Sequence, residues 1–171
     1  METPLASHSI VDRMKGAAML DVPTYEEVEA DHTATGQAAG VVAMAAIASA
    51  IGAWGTGGRG IIGGLIAALV GWLIWAGVTY IIGDKLLGGT ATWGELLRTI
   101  GFAHAPGVLM VLAIIPLLGW LVAVVVGLWM LIAGVIAIRQ ALDFSTGKAI
   151  GTALLGWIVL VILRSAVAWI A

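Results

Sequence analysis

From Thr99 to Ile138 the chain carries no Asp, Glu, Lys or Arg. As one helix this stretch would run ~60 Å at a rise of ~1.5 Å per residue, about twice the ~30 Å hydrocarbon core of a bilayer. Pro116-Leu117-Leu118-Gly119 lies in its middle, a helix breaker followed by a glycine. The stretch therefore reads as two membrane spans joined by a very tight turn. The same pattern continues on both sides and predicts spans at 35–54, 61–82, 93–115, 117–138 and 149–170. Glycine-rich or polar connections at 55–60, 83–90 and 139–148 separate them. Thr92-Trp93-Gly94-Glu95 has the S/T-x-x-E form of a capping box and marks the start of the third span. The expected fold is all-α: a polytopic integral membrane protein with a five-helix transmembrane bundle over residues 35–171.

Residues 1–34 form a separate cytoplasmic segment in this reading. Ile10, Val11, Met14, Ala17 and Ala18 follow helical spacing, with Asp12, Arg13 and Lys15 on the other side. That is the pattern of an amphipathic helix lying in the membrane interface, with Ser9 as its N-cap. Thr24 and Glu27 form a second capping box, so an acidic helix is expected to follow as far as about His32.

Charge sharpens the topology. Residues 1–32 carry −5 and the remainder +3, within a formal net charge of −2. Arg13, Lys15, Lys85, Arg139 and Lys148 fall on one side of a five-span chain, against Arg59 and Arg164 at the other. The excess of positive residues places the amino terminus in the cytoplasm. Trp54, Trp120 and Trp169 then lie at the outer interface and Trp93 at the inner one, while Trp72, Trp75, Trp129 and Trp157 are deeper and read as packing residues. Without cysteine there is no disulfide or thiolate metal site, and without a basic cluster nucleic acid is not an expected partner.

Few residues offer chemistry. Glu95 and Arg98 lie three apart on one helix face, either as a local ion pair or as an anchor for a cytoplasmic loop or partner. His104 is the only histidine at membrane depth, so a bis-histidine haem is ruled out. Gly101 and Gly107 flank it by a turn on each side, which would let a planar macrocycle approach with His104 as axial ligand. Pro106 removes a backbone donor and bends the third span. Pro116 sets the turn between the third and fourth. Arg164 lies deep in the fifth and reaches the outer interface by snorkelling. Small residues four apart, Gly36/Gly40, Gly60/Gly64, Ala123/Gly127 and Gly147/Gly151, allow close helix contact. No P-loop, dinucleotide fingerprint, G-x-S-x-G or H-E-x-x-H is present, and no catalytic or metal residue is assigned.

Trp93-Gly94-Glu95-Leu96-Leu97-Arg98-Thr99-Ile100-Gly101-Phe102-Ala103-His104-Ala105-Pro106-Gly107 resembles the Yip (Ypt-interacting protein) family in its bacterial branch. Three other stretches carry the same resemblance: Ile115-Pro116-Leu117-Leu118-Gly119, the run from Leu128 to Leu142, and Tyr25 to Asp31. The resemblance implies five spans and a cytoplasmic amino terminus. Eukaryotic relatives bind small GTPases and each other. That role is not carried over, because a bacterial chain lacks the traffic system and the amino-terminal domain is reduced here.

Function is expected to be non-enzymatic: a structural or adaptor protein, or an accessory subunit that contacts a larger membrane complex or its own copies laterally. The alternative is a small solute transporter or channel built on Ser49, Thr79, His104 and Thr152. No cofactor is expected beyond bound lipid, with a haem or chlorophyll-type pigment on His104 as a variant. The expected location is the bacterial cytoplasmic membrane.

Overall fold

The computed structural model describes residues 8–54 and 60–170, the side chains of 163–170 excepted. The described residues are helical with no strand. Seven α-helices follow in order among them: α1 (Ile10–Ala18), α2 (Val22–Ala30), α3 (Ala34–Gly52), α4 (Ile61–Tyr80), α5 (Trp93–Phe102), α6 (Gly119–Ala141) and α7 (Thr146–Ile170). A π-helical turn, Ile81–Leu86, extends α4, so Gly83 to Leu86 are helical rather than part of the expected loop. A 3₁₀ segment, Ala105–Ile114, extends α5. Among the described residues four units are long and apolar enough to cross a membrane: Ala34–Gly52, Ile61–Leu86, Trp93–Ile114 and Gly119–Ala141.

The third unit changes its winding at Pro106. Proline offers no N–H to the carbonyl one turn back, so the α-helix stops at Phe102 and the chain rewinds as 3₁₀. The rewinding keeps the unit in register with α3. Ala38 faces Gly101, Ala45 faces Gly107, and Gly52 meets the Met110 carbonyl. Seven α-helical residues rise ~10.5 Å. The six residues from Gly101 to Gly107 match that rise because the latter part climbs ~2.0 Å per residue. The two backbones can approach this closely because none of these positions carries a side chain larger than a methyl group, Met110 contributing only its carbonyl.

These contacts also order the ends of the bundle. Thr90, Arg98, Gln140, Asp143 and the carboxyl end of α2 meet at one end. Gly52, Ala113, Pro116 and Trp120 line a common crevice at the other. The turn between the third unit and α6 is as tight as the sequence indicates. Leu118 N–H donates to the Ile115 carbonyl at 3.2 Å, and Leu117 sits at φ 70° with 91% of its surface exposed. Gly119 packs onto the Ala113 carbonyl, where a Cβ would stand 2.7 Å away.

The deep tryptophans are not all packing residues. Trp72 is buried and donates to the Leu97 carbonyl at 3.0 Å. Trp157, by contrast, is 61% exposed and stands at the bundle surface. The side chains of Arg164 and Trp169, and the whole of Arg59, lie outside the described residues.

Replacing Gly101 with leucine would drive a Cβ to 2.6 Å from that of Ala38. The expected cost is about 1–3 kcal/mol or more of stability. Gly63→Ala meets open space and is expected to hold or raise stability by up to ~1 kcal/mol through helix propensity. Thermal unfolding in mild detergent, followed by size-exclusion chromatography, checks both.

Candidate functional site: the docked amino-terminal hairpin

The polar groups of the chain gather where α1 and α2 dock on the bundle. Each helix starts from a local signal. Ser9 Oγ accepts from Asp12 N–H at 3.2 Å and caps α1. Asp21, not Thr24, caps α2: its carboxylate accepts from Thr24 N–H at 3.1 Å, with Pro23 in the first turn. The expected Thr24–Glu27 capping box is therefore absent, and Glu27 is free to serve elsewhere. A second correction concerns Arg13, which the periodicity places on the solvent side of α1. It is only 2% exposed.

Arg13 ties three helices together. Its Nη2 donates to Glu27 Oε1 at 2.9 Å and to Asp31 Oδ2 at 2.7 Å, both on or beside α2. Its Nη1 donates to Gln37 Oε1 on α3 at 3.0 Å. Glu27 and Asp31 lie four apart, so one face of α2 presents both carboxylates. Burial alone would disfavour the Arg13 charge, but the bonds to Asp31 and Glu27 outweigh it and raise its pKa. Asp31 is held down at about 2 by the Thr33 hydroxyl at 2.6 Å and then by Arg13. Burial opposes the Glu27 charge too, yet hydrogen bonds from His8 and Arg13 lower its pKa.

Arg98 makes the second tie. It is 3% exposed, and it reaches away from Glu95. Its Nε donates to the Val28 carbonyl and to the Glu29 carbonyl, each at 3.0 Å, and its Nη2 also donates to the Glu29 carbonyl. These carbonyls belong to the last turn of α2, which has no intrahelical partner for them and carries the negative end of the helix dipole. Glu95 turns back on its own helix instead. Its side chain accepts from Thr92 N–H at 2.7 Å and completes the capping box that starts α5. Apolar packing and two further bonds finish the dock. Tyr25 is fully buried and donates its hydroxyl to the Ala17 carbonyl at 3.1 Å, and Trp129 Nε1 donates to the Ala18 carbonyl at 2.7 Å.

Glu29 is the strained member. Burial pushes its carboxyl up to about 7, with Glu95, Asp143 and Glu26 adding repulsion and Arg98 opposing it.

His104 and Pro106 lie away from this cluster, at mid-length in the third unit. His104 Nδ1–H donates to the Ile100 carbonyl at 2.8 Å. The flanking Gly101 and Gly107 face α3, so helix packing fills the surfaces a macrocycle would approach. Of the other polar candidates, Ser49 and Thr152 hydroxyls donate to carbonyls of their own helices, and Thr79 Oγ1 is buried without a partner. Among the described residues no group of His, Asp and Glu is arranged to hold a metal ion.

An all-helical bundle of apolar, membrane-length units with a docked polar hairpin defines the class as an integral membrane protein. The family follows from the chain itself: the family model described as Yip1 domain matches residues 17–167, so this chain belongs to the Yip1 domain family. Comparison with curated proteins and with solved structures gives no match.

Two predictions concern the dock. Arg98→Met is expected to leave the α2 carbonyls unpaired and to weaken docking by about 1–3 kcal/mol. Amide exchange in α1 and α2 should rise while exchange in α4 and α6 stays unchanged. Glu29 carries a pH effect of defined sign. Docked, it holds its proton up to about 7; undocked, it releases it near the ordinary carboxylate value of 4.5. The docked state therefore binds more protons across that window, and docking weakens as pH rises through it. Glu29→Gln is expected to flatten the dependence, read as hairpin exchange corrected for intrinsic rates between pH 4.5 and 8.

Proposed function

We propose that this protein is a non-enzymatic adaptor of a bacterial cytoplasmic membrane that binds a larger membrane complex through lateral helix contacts. In this reading α7 is a fifth span, α1 lies at the inner interface and the amino terminus faces the cytoplasm. The excess of cations at the hairpin end, Arg13, Lys15, Lys85, Arg139 and Lys148, supports that orientation.

One observation carries the proposal. Of the glycines in the small-residue pairs that the sequence offers for helix contact, Gly40 meets Ile10 of α1 at 3.8 Å, while those on α4, α6 and α7 are not used inside the bundle. The Cβ directions of Gly60, Gly64, Gly127, Gly147 and Gly151 meet nothing within 4 Å. The internal close approaches use other glycines, Gly101 and Gly107 against α3 and Gly156 against Trp75. Within a bilayer lipid tails compete equally for apolar surface, so association depends on close backbone approach at small residues. Outward-facing glycines on α4 and α7, beside exposed Ile, Leu and Val, offer that approach to another membrane protein.

Extraction in a mild detergent, followed by mass spectrometry, tests the reading. Co-migration with a larger complex at fixed stoichiometry is expected, with loss of that co-migration in Gly64→Leu or Gly147→Leu while the chain itself stays folded. A monodisperse monomer, or solute flux in liposomes above that of empty ones, overturns it.

A further inference from the structure

We propose that a crevice on the lateral face of the bundle binds a long-chain lipid alcohol, with His104 Nε2 accepting the hydrogen bond of its hydroxyl. The crevice lies between α4, α5, α6 and α7 and encloses about 360 Å³. Trp75 and Trp157 form two of its walls, and Gly127, Met130 and Gly134 form a third. The space exists because Gly127 and Gly134, seven apart on one face of α6, have no side chain and nothing within 4 Å of their Cβ directions. The volume is at the small end of ligand pockets, ~300–1,000 Å³, and suits one chain rather than a broad ring system.

His104 is the side chain in this lining that offers a free acceptor; the indole N–H groups of Trp75 and Trp157 beside it only donate. A carbonyl oxygen only accepts, so the 2.8 Å contact with the Ile100 carbonyl fixes the proton on Nδ1. Nε2 of the neutral ring then presents a lone pair. Among the described residues nothing donates to it. Eleven residues separate His104 from Trp93 and ten from Ile114, so it stands near mid-span, far from either water layer. An acceptor left unsatisfied there costs about 1–3 kcal/mol.

This chemistry selects the occupant. It comes from the bilayer, because the crevice opens sideways at membrane depth. To satisfy Nε2 it must bring a donor, which a ketone, an ester or an ionised carboxylate lacks; a hydroxyl donates to Nε2 and can also accept from an indole N–H of Trp75 or Trp157. It must be uncharged, because a charged headgroup at that depth is costly. An aliphatic or isoprenoid alcohol meets all three conditions.

The experiment uses the full chain in phosphatidylethanolamine and phosphatidylglycerol nanodiscs. The probes are a C16 alcohol with a mid-chain diazirine, its methyl ether and the corresponding aldehyde. Labelling of the α6 peptide around Met130 is expected to favour the alcohol by about tenfold, the equivalent of one hydrogen bond of ~1.4 kcal/mol. Unlabelled alcohol should compete. His104→Phe is expected to abolish the preference for the alcohol while labelling persists at the ether's level. Gly134→Leu, which fills the crevice without touching His104, is expected to abolish labelling itself. Equal labelling by alcohol and ether overturns the proposal, as does labelling that survives Gly134→Leu. Either result reduces the contact to ordinary annular lipid.

Discussion

The close approach of α3 to the third membrane-length unit is the contact on which the other positions depend. Lipid supplies no hydrophobic drive to bring helices together, so dispersion between closely set backbones must do it. Ala38, Ala45 and Gly52 recur every seven residues and meet Gly101, Gly107 and the Met110 carbonyl. The pairing is parallel, so it fixes both units to run in the same direction. With α4 between them in the chain, that direction puts the α2–α3 link and the start of α5 at one end. The Pro116 turn and the end of α3 then share the other.

That arrangement also places the arginines. Arg98 lies one turn before the first glycine contact of α5, beside the start of α3 and the end of α2. Its depth explains its choice of partner. A guanidinium buried at the edge of an apolar bundle needs acceptors that stay in place, and the last carbonyls of α2 are fixed by the helix itself. Arg13 meets the same demand from the other side, with carboxylates from two successive turns of α2. The hairpin is therefore held by two cations of different origin, one from the bundle and one from the hairpin. Glu29 stands against that attraction, since its backbone carbonyl is wanted by Arg98 while its carboxylate faces Glu95 and Asp143.

The membrane-length helices were legible because hydropathy and breakers act locally. Thr92 to Glu95 reads as a helix start, and Pro116 with Gly119 as a turn, since each signal lies within a few residues of its effect. Thr24 and Glu27 have the letters of a capping box but lose to Asp21, which sits one residue ahead of the helix and two before Pro23. The error over Arg13 has a different source. Sorting one helix by period treats every charge as outward, and it cannot register a second helix that brings Glu27 and Asp31 to the same face. The spacing of those two carboxylates, four apart, was the available signal. Trp129 bonding to the Ala18 carbonyl left no trace in the sequence, because it joins residues 111 positions apart.

Glycine content alone separates nothing in this chain, but glycine direction does. Gly101, Gly107 and Gly52 are packed so tightly that a Cβ would collide, and they belong to the fold. Gly64, Gly127, Gly147 and Gly151 face open space and contribute nothing to internal packing. Each also sits in a helix, where glycine is ~1 kcal/mol worse than alanine. An outward glycine is thus a net cost to the isolated bundle, and a surface that something else in the bilayer meets would offset it. That asymmetry between inward and outward glycines, rather than any reactive group, directs the functional reading toward contact within the membrane.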